Sequence, residues 1–295
     1  MRSLGLVAGF LLDRAVSDPR RGHPVALYGR VVGRWEDLVY GDSRARGALF
    51  AAGAVLPVAG VGSLFRGGAA TAVTAWAVLG GSMLCREAER IAAALEDGDL
   101  ARARELLPNL CGRDPSELDE AGIARAVVES VAENTSDAVV GPLVWGALGG
   151  VAGMAGFRAV NTLDAMVGHR DERYERFGAA SARLDDVAGW GPARLTAVLA
   201  VLAAPAVGGD VRTAWRVWRR DGDRHPSPNA GQCEAAFAGA LGRTLGGANV
   251  YRGYEERRPT MGSGPGVRTA DIRRAVRLAR AVHLGALAVA AAAAR

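Results

Sequence analysis

ESVAENTSD at residues 129–137 runs directly into AVVGPLVWGALGGVAGMAGF at 138–157 and then into RAVNTLDAMVG at 158–168. Polar residues that are costly to bury thus flank twenty uncharged positions, enough to cross a bilayer as a helix. Glu129, Glu133 and Asp137 are spaced i, i+4, i+8. Each step of four advances a helix by about 40°, so the three carboxylates share one helical face. Stacked like charges cost a few tenths of a kcal/mol per pair, roughly, unless a divalent metal, arginine side chains or solvent offsets the repulsion. The apolar run also carries its own breaks, Pro142 and the pair Gly149 and Gly150. A simple crossing would leave ESVAENTSD and NTLDAMVG on opposite sides of a membrane, where they could not share a site. A broken or re-entrant segment, tolerated where irregular backbone is buried in protein, returns them to one side. The alternative is that the flanking helices bring the polar residues together at depth. The expectation is that 138–157 does not cross fully.

Working outward, other uncharged runs recur at 47–65 and 67–85, nineteen positions each, with shorter ones at 195–209 and 281–294 flanked by Arg194, Arg280 and Arg295. The mean hydropathy of +0.09 averages these runs with charged loops. Residues 47–65 and 67–85, joined around Arg66, read as an antiparallel helical hairpin, and 25–40 as an amphipathic helix on the membrane surface. Residues 4–12 are apolar, but Asp13, Arg14 and Asp18 follow instead of a small-residue cleavage site, so no cleavable leader is expected. Residues 86–128 read as soluble helices, with Asp114 as an N-cap. The pattern predicts an all-α fold: a polytopic helical membrane protein with about four or five apolar segments and cytoplasmic helical loops. It is read as a single membrane-embedded domain over 1–295, with a soluble helical insertion at 86–137 and a cytoplasmic loop region at 210–280. Arginine-rich 210–224 and 13–46 place both of those stretches on the cytoplasmic side.

Composition narrows the function. All 36 basic residues are arginine, which excludes a phosphate-binding loop that needs lysine. The net charge of +5 points to anionic partners such as phosphates, carboxylates or lipid headgroups. The arginines are scattered and aromatics are 6%, so no nucleic acid is expected. Cys85, Cys111 and Cys233 show no paired spacing, which argues against a disulfide framework or a zinc site. Asn161 and Asp164 lie i, i+3 on one helix face. Asp185 and Asp186 offer a second pair of carboxylates to a hard cation, or Asp185 caps a helix. Arg183 is either their salt-bridge partner or a phosphate contact. HPSPN at 225–229 is a loop stiffened by two prolines around His225, Ser227 and Asn229, and a helix N-terminus beyond it suits phosphate. Ser227 has no paired base in sequence, and no GxGxxG follows a strand. RRPTMGSGPG at 257–266 reads as a loop.

Taken together, SDP and GHPV near the N-terminus, ESVAENTSD, AVNTLDAMVG, ERYERFG, SARLDDVAGWGPARLTA, HPSPNAG, EAAFAGALG, LGG and RPTMG resemble the CbiB/CobD family, the adenosylcobinamide-phosphate synthases of cobalamin biosynthesis. The likeness runs from about residue 5 to 265, with the blocks in the family's order. It departs at Ala26, where the family commonly has arginine, and at Gln232 and Cys233, where it often has an aromatic and proline; Arg20, Arg21 or Arg30 could supply the missing guanidinium. The resemblance implies a multi-pass enzyme of the cell membrane with its active site on the cytoplasmic side. It would join a carboxylate of adenosylcobyric acid, a corrinoid, to the amine of 1-amino-2-propanol phosphate, as a carbon–nitrogen ligase using ATP and Mg²⁺. On that reading Glu129, Glu133, Asp137, Asp164, Asp185 and Asp186 supply metal ligands or a base. Asp185, His225 and Glu133 are the catalytic candidates. His23, Arg183 and His225 contact phosphates, and Asn134, Asn161, Ser227 and Asn229 bind substrate. The partners are these substrates and the lipid bilayer, and a homo-oligomer is compatible with the reading. The alternative is a membrane transporter or channel with carboxylates lining an ion path, although here the carboxylates sit at the ends of the apolar runs.

Overall fold

The computed structural model describes residues 1–16, 22–169, 171–251 and 254–295. Ser17, Asp18 and Pro19 of the N-terminal motif, with Arg20 and Arg21, lie outside them. Among the described residues, twelve α-helices and one β-hairpin follow in order: α1 Arg2–Ala15, α2 Pro24–Val39, α3 Arg44–Leu64, α4 Gly68–Val78, α5 Gly81–Glu96, α6 Leu100–Leu106, α7 Glu120–Thr135, α8 Gly141–Val167, α9 Ala179–Leu202, α10 Val211–Asp221, α11 Ala230–Leu241, β1 Leu245–Tyr251, β2 Tyr254–Met261 and α12 Thr269–Ala293. Four helical runs among the described residues are long and apolar enough to cross a membrane: Arg44–Leu64, Gly68–Glu96, Glu120–Val167 and Thr269–Ala293. Residues 195–209 are not among them; α9 ends at Leu202 and Gly208 closes the turn beyond it with φ 75°. By its internal contacts the chain divides into two units, one of Met1–Gly80, Asp137–Pro192 and Leu287–Arg295, the other of Gly81–Ser136 and Ala193–Ala286.

The first unit is organised around α8, which is not one straight helix. Gly150 adopts φ 63° and ψ −141°, open to glycine and strained for other residues. The chain reverses there. Gly141 packs on the Phe157 ring, Gly146 on Met154, and Gly153 on the Trp145 carbonyl, pairs that a straight helix would hold a full turn or more apart. The first arm, 141–149, is about 13 Å long at helical rise, less than half a hydrocarbon core. The reversal at Gly150 breaks 138–157, as a segment that does not cross fully would require. Irregular backbone in an apolar segment needs partners, and Arg2 supplies them, donating to the carbonyls of Ala147 at 3.0 Å and Leu148 at 3.4 Å.

Around this hairpin α3 packs on α8, and α4 packs on α1 and α8. The expected hairpin of 47–65 with 67–85 is thus corrected: α4 stops at Val78, and the Gly80 amide donates to the Ala138 carbonyl at 3.1 Å. Apolar faces made mostly of Gly and Ala carry little preference for their neighbour in sequence, so the closest-fitting partner wins. Gly5 and Gly9 let α1 approach α4, since a Cβ at either would come within 2.6 Å of the Thr71 side chain or the Ala75 Cβ. Helix α2 buries Val32 and Val39 against Phe50, Ala51, Ala54, Leu163 and Phe177. ERYERFG finds its reason here. Tyr174 donates its hydroxyl to the buried Glu36 carboxylate at 2.8 Å, Arg173 donates to the same oxygen at 3.1 Å and stacks on Tyr40, and Phe177 packs between Tyr40 and Phe50. Removing one hydrogen bond to a buried carboxylate costs about 1.5–3 kcal/mol. Tyr174→Phe should therefore lower the melting temperature while leaving helix content intact by circular dichroism.

In the second unit, α5 and α6 pack as the expected two helices, with Asp99 capping α6 through the Arg102 amide at 2.8 Å. Asp114 closes a turn on Ser116 instead of capping a helix, and Asp119 caps α7 through the Gly122 amide. The all-α expectation is broken once. Residues 245–261 form an antiparallel hairpin whose register pairs Leu245 with Met261 and Gly247 with Arg258, with an irregularity between Leu245 and Gly247. RRPTM therefore lies in β2, not in a loop. Gly246 and Gly247 have φ 83° and 95° and make the bulge. Arg125 of α7 ties the hairpin down, donating to the carbonyls of Gly246 and of Ala248, the latter at 2.6 Å.

Candidate functional site

Two groups of polar side chains stand out, one in each unit. In the first unit the reversal of α8 sets Asn161 beside Asp137, which lies in a π-helical turn at Ser136–Val140. Asn161 donates through Nδ2 to Asp137 at 3.2 Å and to Asp185 of α9 at 3.4 Å, and accepts from Arg158 at 3.1 Å. One amide nitrogen thus gathers carboxylates 48 residues apart in sequence. The i, i+4, i+8 spacing holds for Glu129 and Glu133 on α7, which ends at Thr135; the π-turn interrupts it before Asp137. Asp164 follows Asn161 by three on α8 and sits against Gly168. Asp186 is half-buried, Arg183 is exposed, and His23 stands at the N-cap position of α2 ahead of Pro24, at φ −56° and ψ 132° and with no side-chain capping bond.

In the second unit α7, α11 and the β-hairpin converge. Glu129 is buried, and its two oxygens are engaged by the Arg113 guanidinium and, at 2.7 Å, by the Gly246 amide. Glu234 of α11 is wholly buried. Its oxygens accept no hydrogen bond among the described residues. His225 Nε2 lies 3.8 Å and Arg258 Nη1 3.9 Å from its Oε1. Burial, then the carboxylates of Glu129 and Glu133, push Glu234 well above the usual carboxylate range. The stiff loop sets the histidine. The Ser227 amide donates to His225 Nδ1 at 3.0 Å, so the proton of a neutral ring sits on Nε2, facing Glu234. Ser227 Oγ accepts from the amides of Asn229 and Ala230 at the start of α11, and Asn229 Oδ1 accepts from Arg194. Asn134 turns back onto Ser130 of its own helix. Gln232, one of the departures from the resembled pattern, is buried and joins Trp218 to Asp223.

Glu234, Arg113 and Arg258 were not singled out from sequence, and only the first left a signal there. It is the one charge in AGQCEAAFAGAL, a helix buried along its whole length, and a lone carboxylate on such a helix needs a polar reason. Among the described residues no three His, Cys, Asp or Glu side chains are placed to hold a metal ion together. Magnesium is commonly held by one or two carboxylates with water and substrate phosphate completing its shell. The two carboxylates gathered by Asn161 fit that donor set.

These features define a multi-pass helical membrane protein with carboxylate-lined polar sites. The CobD/Cbib protein family model matches residues 6–279. The chain is 51% identical to the cobalamin biosynthesis protein CobD of Mycobacterium tuberculosis, over 98% of this chain and 95% of the relative. It is 43% identical to that of Geobacter metallireducens over 87% and 85%, and 39% identical to that of Rhodobacter capsulatus over 95% and 93%. No solved structure matches. The chain belongs to the CobD/CbiB family of cobalamin biosynthesis proteins.

Proposed function

We propose that the protein forms the amide bond between a carboxylate of adenosylcobyric acid and the amine of 1-amino-2-propanol phosphate, with ATP as co-substrate, giving adenosylcobinamide phosphate. The observation that carries this reading is the buried, raised-pKa Glu234 facing His225, in a chain of this family. A carboxylate is a poor acylating agent, so phosphoryl transfer from ATP turns it into an acyl donor. The amine nitrogen then attacks the acyl carbon, the C–N bond forms, the C–O bond to the phosphorylated oxygen breaks, and phosphate leaves. The protein must do two things. It must remove a proton from the ammonium group before attack, a task for a carboxylate made more basic by its surroundings, and Glu234, raised by burial and by Glu129 and Glu133, is the candidate. It must also hold the phosphates. Arg183 and His23 are candidates in the first unit, and Arg194 with the HPSPN loop in the second. Asp137 and Asp185 would hold Mg²⁺, which supplies charge neutralisation to the transferring phosphoryl group when bound. The active site faces the cytoplasm on this proposal, where ATP is available.

Incubating detergent-solubilised protein with the three substrates and Mg²⁺ should yield the amide by mass spectrometry. No amide, with solute flux in vesicles, would favour a transporter instead. Asp185→Asn should lower activity about ten- to a hundred-fold and raise the Mg²⁺ concentration needed for half-maximal rate. An unchanged Mg²⁺ dependence would remove Asp185 from the site.

A further inference from the structure

Helix α10 reads VRTAWRVWRRD. Ala214, Val217, Trp218 and Asp221 face inward. Arg212, Trp215, Arg216 and Arg219 recur at helical spacing on the outward side. Beside α10, the C-terminal turns of α9 expose Leu202, 63% accessible, next to Trp215, 48% accessible. Between the two helices runs a groove of about 430 Å³ whose lining includes Val201, Leu202, Val211 and Trp215, with Arg212 and Arg216 along it. Trp215 stands edge-on to Trp218, ring centres 5.0 Å apart at 87°, and Trp218 is fixed by its hydrogen bond to Gln232. The groove wall is therefore preorganised. Arg216 lies along its own helix, donating to the Arg212 carbonyl at 3.4 Å and to Thr213 Oγ1 at 3.3 Å. The nearby Asp210 carboxylate is occupied in capping α10 through Thr213.

An apolar trough flanked by the exposed arginines Arg212 and Arg216, with an amphipathic tryptophan on its wall, is complementary to one molecule present in quantity around a multi-pass protein. We propose that this groove binds an anionic phospholipid, its acyl chain along Val201, Leu202, Val211 and Trp215 and its headgroup phosphate on Arg212 and Arg216. The apolar lining sets the acyl chain apart from a free phosphate ion, and the paired arginines set the charged headgroup apart from a zwitterionic one. Helix α10 then lies at the membrane surface, its arginines at headgroup level.

The test uses full-length protein in vesicles of phosphatidylcholine containing a fixed fraction of brominated lipid. Brominated phosphatidylglycerol should quench tryptophan fluorescence more than brominated phosphatidylcholine does. The excess should shrink in Trp215→Phe, which removes the tryptophan on the groove wall, and persist in full in Arg102→Gln, a surface arginine on α6. Removing one of the two arginines should weaken phosphatidylglycerol binding about five-fold, and Arg212→Gln with Arg216→Gln should abolish the preference at an unchanged melting temperature. Equal quenching by the two lipids, an excess that survives the double variant, or displacement of the signal by millimolar inorganic phosphate would each overturn the proposal. If the double variant fails to fold, Arg212→Gln alone decides: a phosphatidylglycerol preference unchanged in that variant refutes the site.

Discussion

Gly153→Val should prevent the protein from accumulating in folded form. A Cβ at 153 would lie 2.2 Å from the Trp145 carbonyl oxygen and 3.1 Å from its carbon. The obstructing atoms are backbone on the opposite arm of the same hairpin, so no side chain can swing aside. The arms must part, and with them go the contacts of Gly141 with Phe157 and of Gly146 with Met154. A cost on the order of 4 kcal/mol or more is expected, beyond the ordinary range for point substitutions. Gly149→Ala is the control: it sits at the same reversal, but no atom lies within 4 Å of a Cβ there, so its melting temperature in detergent should stay close to that of the parent. The reversal also has a topological readout. Cysteines at 137 and 183, in a background with the partly exposed Cys111 replaced by serine, should react with an impermeant maleimide from the same side of sealed vesicles. Reaction from opposite sides would mean that 138–157 crosses after all.

Glu234→Gln should separate stability from activity. Burial and the neighbouring carboxylates raise the pKa of Glu234 well above the usual carboxylate range, while in the unfolded chain it ionises as an ordinary glutamate. A carboxyl whose folded pKa is raised contributes stability that is fully present below the unfolded pKa and lost as pH rises towards the folded pKa. Wild-type stability should therefore decline over that interval, from the ordinary carboxylate range upward. Glutamine matches the neutral form in shape and cannot ionise, so the melting temperature of the variant should gain on the parent as pH rises. Amide formation moves the other way. A carboxylate base works only when ionised, so wild-type activity should climb with pH through the same elevated pKa, and the variant should lose about 10²- to 10⁴-fold at every pH. A variant that keeps wild-type activity would refute the assignment of Glu234 as base. One that is destabilised at all pH values would show that the carboxylate is needed in its charged form.

How much of this was legible beforehand differs from residue to residue. Pro142, Gly149 and Gly150 were enough to mark 138–157 as a poor continuous helix, and the chain does break at Gly150; helix length and bilayer thickness alone left open both a re-entrant segment and polar residues meeting at depth. Asn161, Asp137 and Asp185 were each chosen from local spacing, and they do come together. Ser227 and Asn134 were chosen in the same way, but the structure shows their side chains engaged with nearby backbone. A short polar side chain near a helix end has that option wherever it stands. The β-hairpin was missed because its glycines carry no strand periodicity; the bulge at Gly246 and the anchors on Arg125 and Glu129 come from α7, more than a hundred residues away.

By itself, the sequence determined the membrane-spanning helical class, the family and the place where the chain turns back. These follow from composition, from the order of motifs and from backbone preferences that act within a few residues. Only the tertiary structure decided which charges meet. Arg113 lies 16 residues from Glu129, and Arg258 and Glu234 lie on different elements 24 residues apart. No periodicity links such pairs. What brings them together is the packing of α7, α11 and the hairpin into one buried cluster, where a charge left without a partner costs far more than at the surface.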